Sequence, residues 1–400
     1  MNPLYKAFCR VFQTAFHLAL PLLPYREPKI YNDIPSLAPL FAEKKIRSVL
    51  IVTDRGLRAH GATKPLEDLF GQNGIAYTVY EDTCANPTVD NVEEARRLYL
   101  ENGCTALIAV GGGSPMDCAK AAGARIAYPH RSLSSLKGTL RVLRPIPTLI
   151  AIPTTAGTGS EVTVTAVITD PVHKHKYTMN SFSLIPRYAV LDPAVTVTLP
   201  PHLTATTGMD ALTHAVEAYI GNSTSRETRA LAEEATALIF ANIETAVSNG
   251  TDLTARANML RAAYAAGIAF SKSYVGYVHA VAHSLGGQYN IPHGLANAVL
   301  LPYVLDAYGS AVHKPLHRLA VAAGISQASD TDADAAAAFI AAIREMNRRM
   351  QIPETLPGIR REDIPQMAAH AAKEANPLYP VPVLMDAAAL QQFYEQVMEK

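Results

Sequence analysis

The stretch Thr105–Lys120, TALIAVGGGSPMDCAK, decides the fold. An apolar run ending at Val110 reads as a strand, and it leads into Gly111, Gly112 and Gly113. Ser114, Pro115 and Asp117 follow, and then an alanine-rich helical pattern to Ala127. Ser114 is a suitable N-cap, Pro115 fits the first helical position, and Asp117 stands where a capping-box acid would. The glycines let the backbone turn tightly and come close to a ligand. Free N–H groups and the dipole at the start of the helix then make a pyrophosphate site. The pattern is not GxGxxG, so taken alone it also admits a strand-to-helix turn that binds nothing.

Working outward, VLIVTD (Val49–Asp54), AYTVYED (Ala76–Asp82) and TLIAIPTT (Thr148–Thr155) read as further strands, with helical patterns at Asn91–Asn102 and Pro115–Ala127. Strands alternating with helices predict a mainly parallel sheet covered on both faces, with ligands at the carboxyl ends of its strands. Beyond Pro201 strand signals fade, and alanine-rich helical segments take over at Arg226–Ala246, Leu253–Ala269 and Ala335–Met350. The prolines of LPPHLT (Leu199–Thr204) mark the change. The expected organisation is therefore a helical extension over 1–29, an α/β dinucleotide-binding domain over 30–200, and an all-α domain over 201–400.

Composition sets the outer limits. Lys plus Arg and Asp plus Glu are 35 each, with no basic run, which speaks against a nucleic-acid partner. Four scattered cysteines, Cys9, Cys84, Cys104 and Cys118, form no CxxC pair, so neither a disulfide framework nor a thiolate zinc site is expected and a cytoplasmic location follows. At the N-terminus, Leu4, Phe8, Val11, Ala15, Leu18 and Leu22 share one helical face, widened by Phe12 and Phe16, with Lys6 and Arg10 near its start. Pro21 stops this run short of a membrane-spanning length. The helix is expected to pack on its own protein or a sister subunit; interfacial membrane contact and a signal-like role are the other readings.

Three further groups carry chemistry. PTTAGTGSE (Pro153–Glu161) offers Thr154, Thr155 and Thr158 beside Gly157 and Gly159, a second wall for a ligand of the glycine loop or simply a capped loop. Asp54 ends a strand, where a carboxylate can accept from ribose hydroxyls and repel a 2′-phosphate, favouring NAD over NADP; a turn residue would look the same. GMDALTHAVEAY (Gly208–Tyr219) sets Asp210 and His214 on one helical face, and YVHAVAHSLGGQYNIPHGLAN (Tyr277–Asn297) supplies His279, His283 and His293. Imidazoles and a carboxylate without thiolates suit divalent iron or zinc.

Together these motifs resemble the iron-containing (group III) alcohol dehydrogenase family, over nearly all of the chain after about residue 30. The resemblance implies NAD-linked interconversion of small alcohols and aldehydes, with Asp210, His214, His279 and His293 as ligands of a divalent metal, Fe2+ or Zn2+. It sets His283 beside the metal without binding it, either passing a proton to solvent or orienting a ligand. It implies cofactor contacts at Asp54, Asn86, Gly112, Gly113, Ser114, Thr154, Thr155 and Thr158, with Asp117 in the same loop and looser matches at Lys176 and Leu191. Phe270, Tyr274, Val275, Tyr277 and Leu285 suggest an apolar substrate pocket with Lys272 as its nearby cation. Glycerol-type dehydrogenases and dehydroquinate synthases share the same plan, and a non-catalytic metal- or nucleotide-binding protein is the reading of another class. A homodimer or larger homo-oligomer is expected on general grounds.

Overall fold

The computed structural model describes residues 1–171 and 175–399. The chain forms two compact units, Pro24–Leu199 and a second made of Met1–Leu23 with the chain from Pro200 onward.

Among the described residues the first unit contains nine strands: β1 (Lys29–Tyr31), β2 (Ser48–Val52), β3 (Ala76–Tyr80), β4 (Ala106–Gly111), β5 (Gly138–Thr139), β6 (Thr148–Pro153), β7 (Thr165–Asp170), β8 (His175–Asn180) and β9 (Tyr188–Val190). Six of them pair in parallel in the order β1-β9-β6-β4-β2-β3. β4 is buried at every position, as a central parallel strand covered on both faces must be, which is why its sequence is continuously apolar. Leu50, Val52, Leu107 and Ala109 face one core, and Val49, Ile51, Ile108 and Val110 face the other. Gly111 lies opposite Pro153 in the register, so the glycine loop and the PTTAGTGSE loop leave the sheet side by side. The pattern of apolar runs missed the short edge strand β1 and its neighbour β9. It also missed a second sheet, β5-β8-β7, in which β7 and β8 are antiparallel.

The second unit is helical. Its helix at the start of the chain is α1 (Pro3–Ala19). The α/β unit carries α2 (Ala38–Glu43), α3 (Arg55–Ala59), α4 (Lys64–Asn73), α5 (Val89–Glu101) and α6 (Gly113–Ala127). From Pro200 onward come α7 (Pro201–Ile220), α8 (Arg226–Ser248), α9 (Leu253–Ser273), α10 (Tyr277–Tyr289) and α11 (His293–Tyr308). The chain then forms α12 (His313–Ala322), α13 (Asp332–Arg349), α14 (Ile364–Ala375) and α15 (Ala387–Val397).

Helix α7 is the centre of this unit: every residue from Gly208 to Ile220 is buried. A Cβ at Gly208 would lie 2.7 Å from the Ile243 side chain and 2.9 Å from that of Met259, so glycine lets α8 and α9 press against α7. A helix buried all round has no solvent face for Asp210, His214 and Glu217, and each must find a partner inside.

Helix α1 does not stand apart as an extension; it docks on the helical unit, and with the opposite face from the one its apolar spacing suggests. Cys9 and Gln13 are its buried residues, whereas Leu4, Phe8, Val11, Leu18 and Leu22 are exposed. Among the described residues no helix is long and apolar enough to cross a membrane.

Candidate metal centre and cofactor site

Asp210 and His214 sit one turn apart on α7, His279 lies in the first turn of α10, and His293 opens α11. One donor atom from each of the four lies within 4.8 Å of all the others. His279 Nε2 is 3.8 Å and His293 Nε2 3.5 Å from Asp210 Oδ1, and the His214 and His279 rings stack with centroids 4.5 Å apart. That spread is close to what one divalent first-row ion with bonds of about 2.1 Å gathers. The side chain of Asp210 is 2 % exposed and that of His279 3 %, but His293 is 40 % exposed, so the cluster opens to one side. An open side is what a catalytic rather than a structural metal site retains.

The chemistry of the donors fits a cation. Asn297, one turn after His293, has its amide nitrogen 2.6 Å from Asp210 Oδ1, 3.2 Å from His279 Nε2 and 3.1 Å from His293 Nε2. One NH2 group facing three acceptors means that the cluster turns lone pairs inward. His279 is held for that purpose by Glu217, whose Oε2 receives its Nδ1–H at 2.6 Å while the carboxylate also accepts from the amides of Gly276 and Val278, both at 2.8 Å. Burial, reinforced by the neighbouring imidazoles of His214, His293 and His283, pushes the His279 pKa well down, so the ring is neutral with Nε2 free to coordinate. Burial pushes Glu217 up to about 7, against the pull of those backbone N–H groups. Gly276 makes room for this arrangement, since a Cβ there would lie 2.7 Å from Glu217 Oε1. Neither Glu217 nor Asn297 was foreseen from the sequence. The signal was present: Glu217 follows Asp210 by seven and His214 by three, and Asn297 follows His293 by four, each on the ligand face of its helix.

His283 lies one turn beyond His279, and its ring stacks on His293 with centroids 5.1 Å apart. Its Nδ1 is 2.6 Å from Glu374 Oε1, which also accepts from the Tyr379 hydroxyl at 2.7 Å. Burial works against the imidazolium, but the charge and hydrogen bond of Glu374 prevail and the His283 pKa is raised.

The spacing of α7 and α11 rests on Gly294. A Cβ there would lie 2.5 Å from the Thr206 carbonyl oxygen, a backbone atom that cannot swing aside. Gly294→Ala therefore forces α11 away from α7 and carries His293 from Asp210. Metal retention, measured by competition with a chelator, is expected to weaken about tenfold or more, in the range seen when supporting groups of metal sites are lost. Unchanged retention would contradict this role for the spacing.

Of the apolar residues expected around the metal, Phe270 stacks on His214 at 4.1 Å between centroids. Tyr277 and Leu285 are instead fully buried core residues; the Tyr277 hydroxyl is 2.9 Å from Asn376 Oδ1 and receives the Met385 N–H at 2.9 Å. Lys272 is paired with Glu227 at 2.6 Å.

In the α/β unit a cleft of about 670 Å3 lies beyond the carboxyl ends of β2, β3 and β4, lined by Asp54, Glu81, Asp82, Cys84, Gly112, Gly113 and Ser114 among others. Helix α6 begins at Gly113 with Gly112 as its cap and no side-chain capping bond. Ser114 and Pro115 are thus inside the helix rather than at its cap and first position, and the glycine backbone itself meets the cleft. A Cβ on Gly112 would come within 3.1 Å of Thr155 Oγ1, and one on Gly113 within 3.3 Å of the Thr158 methyl, so both threonines back the glycines closely. Thr154 donates its N–H to the Gly111 carbonyl at 3.1 Å, and the Asn86 N–H donates to Ser114 Oγ at 3.3 Å. Asp54 caps α3 by accepting from the Leu57 N–H at 2.9 Å while still lining the cleft. Glu81, Asp82 and Arg55 share this end of the cleft, with Arg55 paired to Asp82.

Asp117 is not a capping-box acid. Its Oδ1 accepts from the Ser160 hydroxyl and its Oδ2 from the Val167 N–H, both at 3.1 Å, and burial raises it to about 6. Lys176 is exposed on β8 and Leu191 follows β9, its N–H bonded to the Tyr31 carbonyl at 2.8 Å; neither lines the cleft. A residue with no role assigned from sequence, Lys120, is fully buried and donates to Ser160 Oγ at 3.0 Å, Thr163 Oγ1 at 2.9 Å, and the carbonyls of Thr163 and Thr165 at 3.1 and 2.9 Å.

An Asp/His3 donor cluster open on one side, together with a glycine-lined cleft at the end of a parallel sheet, defines a metal- and dinucleotide-dependent oxidoreductase. Comparison with known proteins gives the family. Residues 31–193 match the model described as iron-containing alcohol dehydrogenase, and residues 204–398 match the Fe-containing alcohol dehydrogenase family, C-terminal. The chain belongs to the iron-containing alcohol dehydrogenase family. It is 38 % identical over 366 residues to a 1,3-propanediol dehydrogenase of Klebsiella pneumoniae, covering 90 % of this chain and 93 % of that one. The crystal structure of a 1,3-propanediol oxidoreductase superposes with a TM-score of 0.89 at 35 % identity, over 94 % of this chain and 99 % of the other. A sulfoacetaldehyde reductase from Bifidobacterium kashiwanohense, solved with NAD+, gives 0.83 at 28 % identity over 94 % and 98 %.

Proposed function

We propose that this protein interconverts small primary alcohols and their aldehydes, using NAD and one divalent metal, ferrous iron before zinc, held by Asp210, His214, His279 and His293. The observation that carries this reading is the convergence of those four donors, three of them buried, beside the partly exposed side chains of His293 and His283. When bound, the metal supplies Lewis-acid polarisation of the substrate oxygen and the nicotinamide supplies the hydride acceptor.

The chain's own residues do the rest. Glu217 fixes the His279 tautomer, and Asn297 steadies the carboxylate of Asp210. The N–H groups at Gly112, Gly113 and Ser114 bind the pyrophosphate, backed by Thr154, Thr155 and Thr158, and Asp54 accepts from the adenosine ribose. Asn86 orients Ser114. Asp117 acts indirectly, tying α6 to the strand that carries Val167, and Lys176 and Leu191 are weaker candidates for the cofactor's other end. His283, with Nδ1 held by Glu374, offers Nε2 to take the alcohol proton toward solvent.

His283→Ala is expected to lower turnover by about 100-fold, the lower end of general acid–base contributions, with metal content unchanged. Loss of metal instead would assign His283 an orienting role. The substrate class is tested by incubating the protein with NAD and 1,1-dideuterated propanol or butanol. Deuterium in the NADH supports direct hydride transfer from a simple alcohol, and its absence from both alcohols counts against it. A diol or polyol substrate is the second reading, favoured by the likeness to 1,3-propanediol dehydrogenase. A kcat/KM for 1,3-propanediol or glycerol above that for propanol would select it. The four unbridged cysteines support a reducing, cytoplasmic setting, and a homodimer is the expected assembly.

A further inference from the structure

Helix α9 ends at Ser273, and the chain turns within three residues into α10. The turn begins at Tyr274, whose N–H donates to the Phe270 carbonyl at 2.7 Å and whose backbone has φ 66° and ψ 177°. That region belongs almost only to glycine, because a Cβ there crowds the adjacent backbone. A tyrosine stays in it only where its surroundings leave it no other choice. Here the Tyr274 ring meets Phe16 of α1 edge-on at 5.1 Å between centroids, and Tyr379 at 6.5 Å. Helix α1 fixes the Tyr379 side as well, since Gln13 donates to the Tyr379 carbonyl at 2.6 Å and Arg10 to the carbonyls of Val381 and Pro382, both at 2.7 Å.

We propose that Tyr274 is a positioning residue for the metal centre and that α1 is its brace. The turn after Tyr274 delivers two backbone donors to one carboxylate: the N–H groups of Gly276 and Val278 each reach Glu217 at 2.8 Å. Glu217 in turn receives Nδ1–H of the ligand His279 at 2.6 Å. If Tyr274 relaxes out of positive φ, Gly276 swings with it, the two amides leave Glu217, and His279 loses the group that orients Nε2. The same end of α9 also touches a second ligand, because Phe270 stacks on His214 at 4.1 Å between centroids. Aromatic contacts with Phe16 and Tyr379 therefore hold a strained turn in the shape the metal site needs. Phe16 comes from a helix that precedes residue 31, where the match to the family begins. The inference rests on the ligand set proposed above.

The test is competition for ferrous iron, without oxygen, between a coloured chelator and the purified full chain. The parent is compared with Tyr274→Ala, Tyr274→Gly, Phe16→Ala and the double variant Phe16→Ala/Tyr274→Gly. Alanine removes the ring but keeps the Cβ, so the turn is expected to relax and iron retention to weaken about tenfold or more. Glycine removes still more packing but accepts the backbone without strain, so retention is expected to stay within about threefold of the parent. A role in packing alone predicts the opposite order. Phe16→Ala is expected to weaken retention in the parent and to add nothing beside Tyr274→Gly, since the brace then has no strain to hold. The proposal is overturned if glycine weakens retention as much as alanine does, if neither does, or if Phe16→Ala acts equally in both backgrounds. A parent that takes up no iron overturns the ligand set and this proposal with it.

Discussion

Asp210→Ala is expected to yield a folded protein that retains no metal and oxidises alcohols at least about 1,000-fold more slowly, since the Lewis acid supplies several kcal/mol to the reaction. Asp210 is the one anion among the four donors, and its side chain is 2 % exposed. Without it, three neutral imidazoles face a divalent ion in a buried site, with no charge to offset its desolvation. Asp210→Asn keeps the volume and the contact with Asn297 but not the charge, so it separates coordination from packing. Metal content and turnover are measured on the same samples. An alanine variant that kept both would remove Asp210 from the ligand set.

The second large effect is expected at a residue that touches neither substrate nor metal. Lys120→Met should destabilise the α/β unit by about 3–5 kcal/mol, the penalty typical of breaking a buried charge network on one side. Lys120 has its ammonium within 3.1 Å of four acceptors of the 160–165 segment and is attracted by the charges of Asp117 and Glu161. Burial lowers its pKa to about 8 and raises Asp117 to about 6 and Glu161 to about 7. The raised carboxyls favour folding fully below their unfolded values, and this is lost as pH rises through about 6 and 7. The lowered ammonium favours folding above its unfolded value, and this is lost as pH falls through about 8. Between these values all three groups are charged and depend on one another. Removing Lys120 raises both acids further, so the variant should lose more stability at pH 8 than at pH 5.5 in urea unfolding. Equal losses at the two pH values would mean that the lysine acts only through its hydrogen bonds.

Much of this was legible in the sequence because it depends on local pattern. A fully buried parallel strand must be apolar throughout, and β4 announces itself in TALIAVGGG. A spacing of four on a helix is equally local, and the pairing of Asp210 with His214, and of His279 with His283, on one face follows from it. What escaped depends on contacts between distant segments. Glu374 meets His283 across 91 residues, and Lys120 meets the 160–165 segment across 40 to 45, so no periodicity could join them. The capping of α6 was misread because Ser114 and Pro115 fit cap positions locally, whereas the glycine backbone starts the helix earlier. For α1 the apolar spacing was sound, but the side that docks was chosen by Arg10, Gln13 and the carbonyls after Ala375.

The central claim, that one divalent ion in the Asp210/His214/His279/His293 cluster makes this chain an alcohol dehydrogenase, is tested most directly by metal restoration. Protein stripped with a chelator is titrated anaerobically with ferrous iron while NADH oxidation by propanal or butanal is followed. The expected result is an inactive stripped protein whose activity returns in proportion to iron and levels off at one equivalent per chain. Full turnover in the stripped protein, or binding of one equivalent without any return of activity, would contradict it.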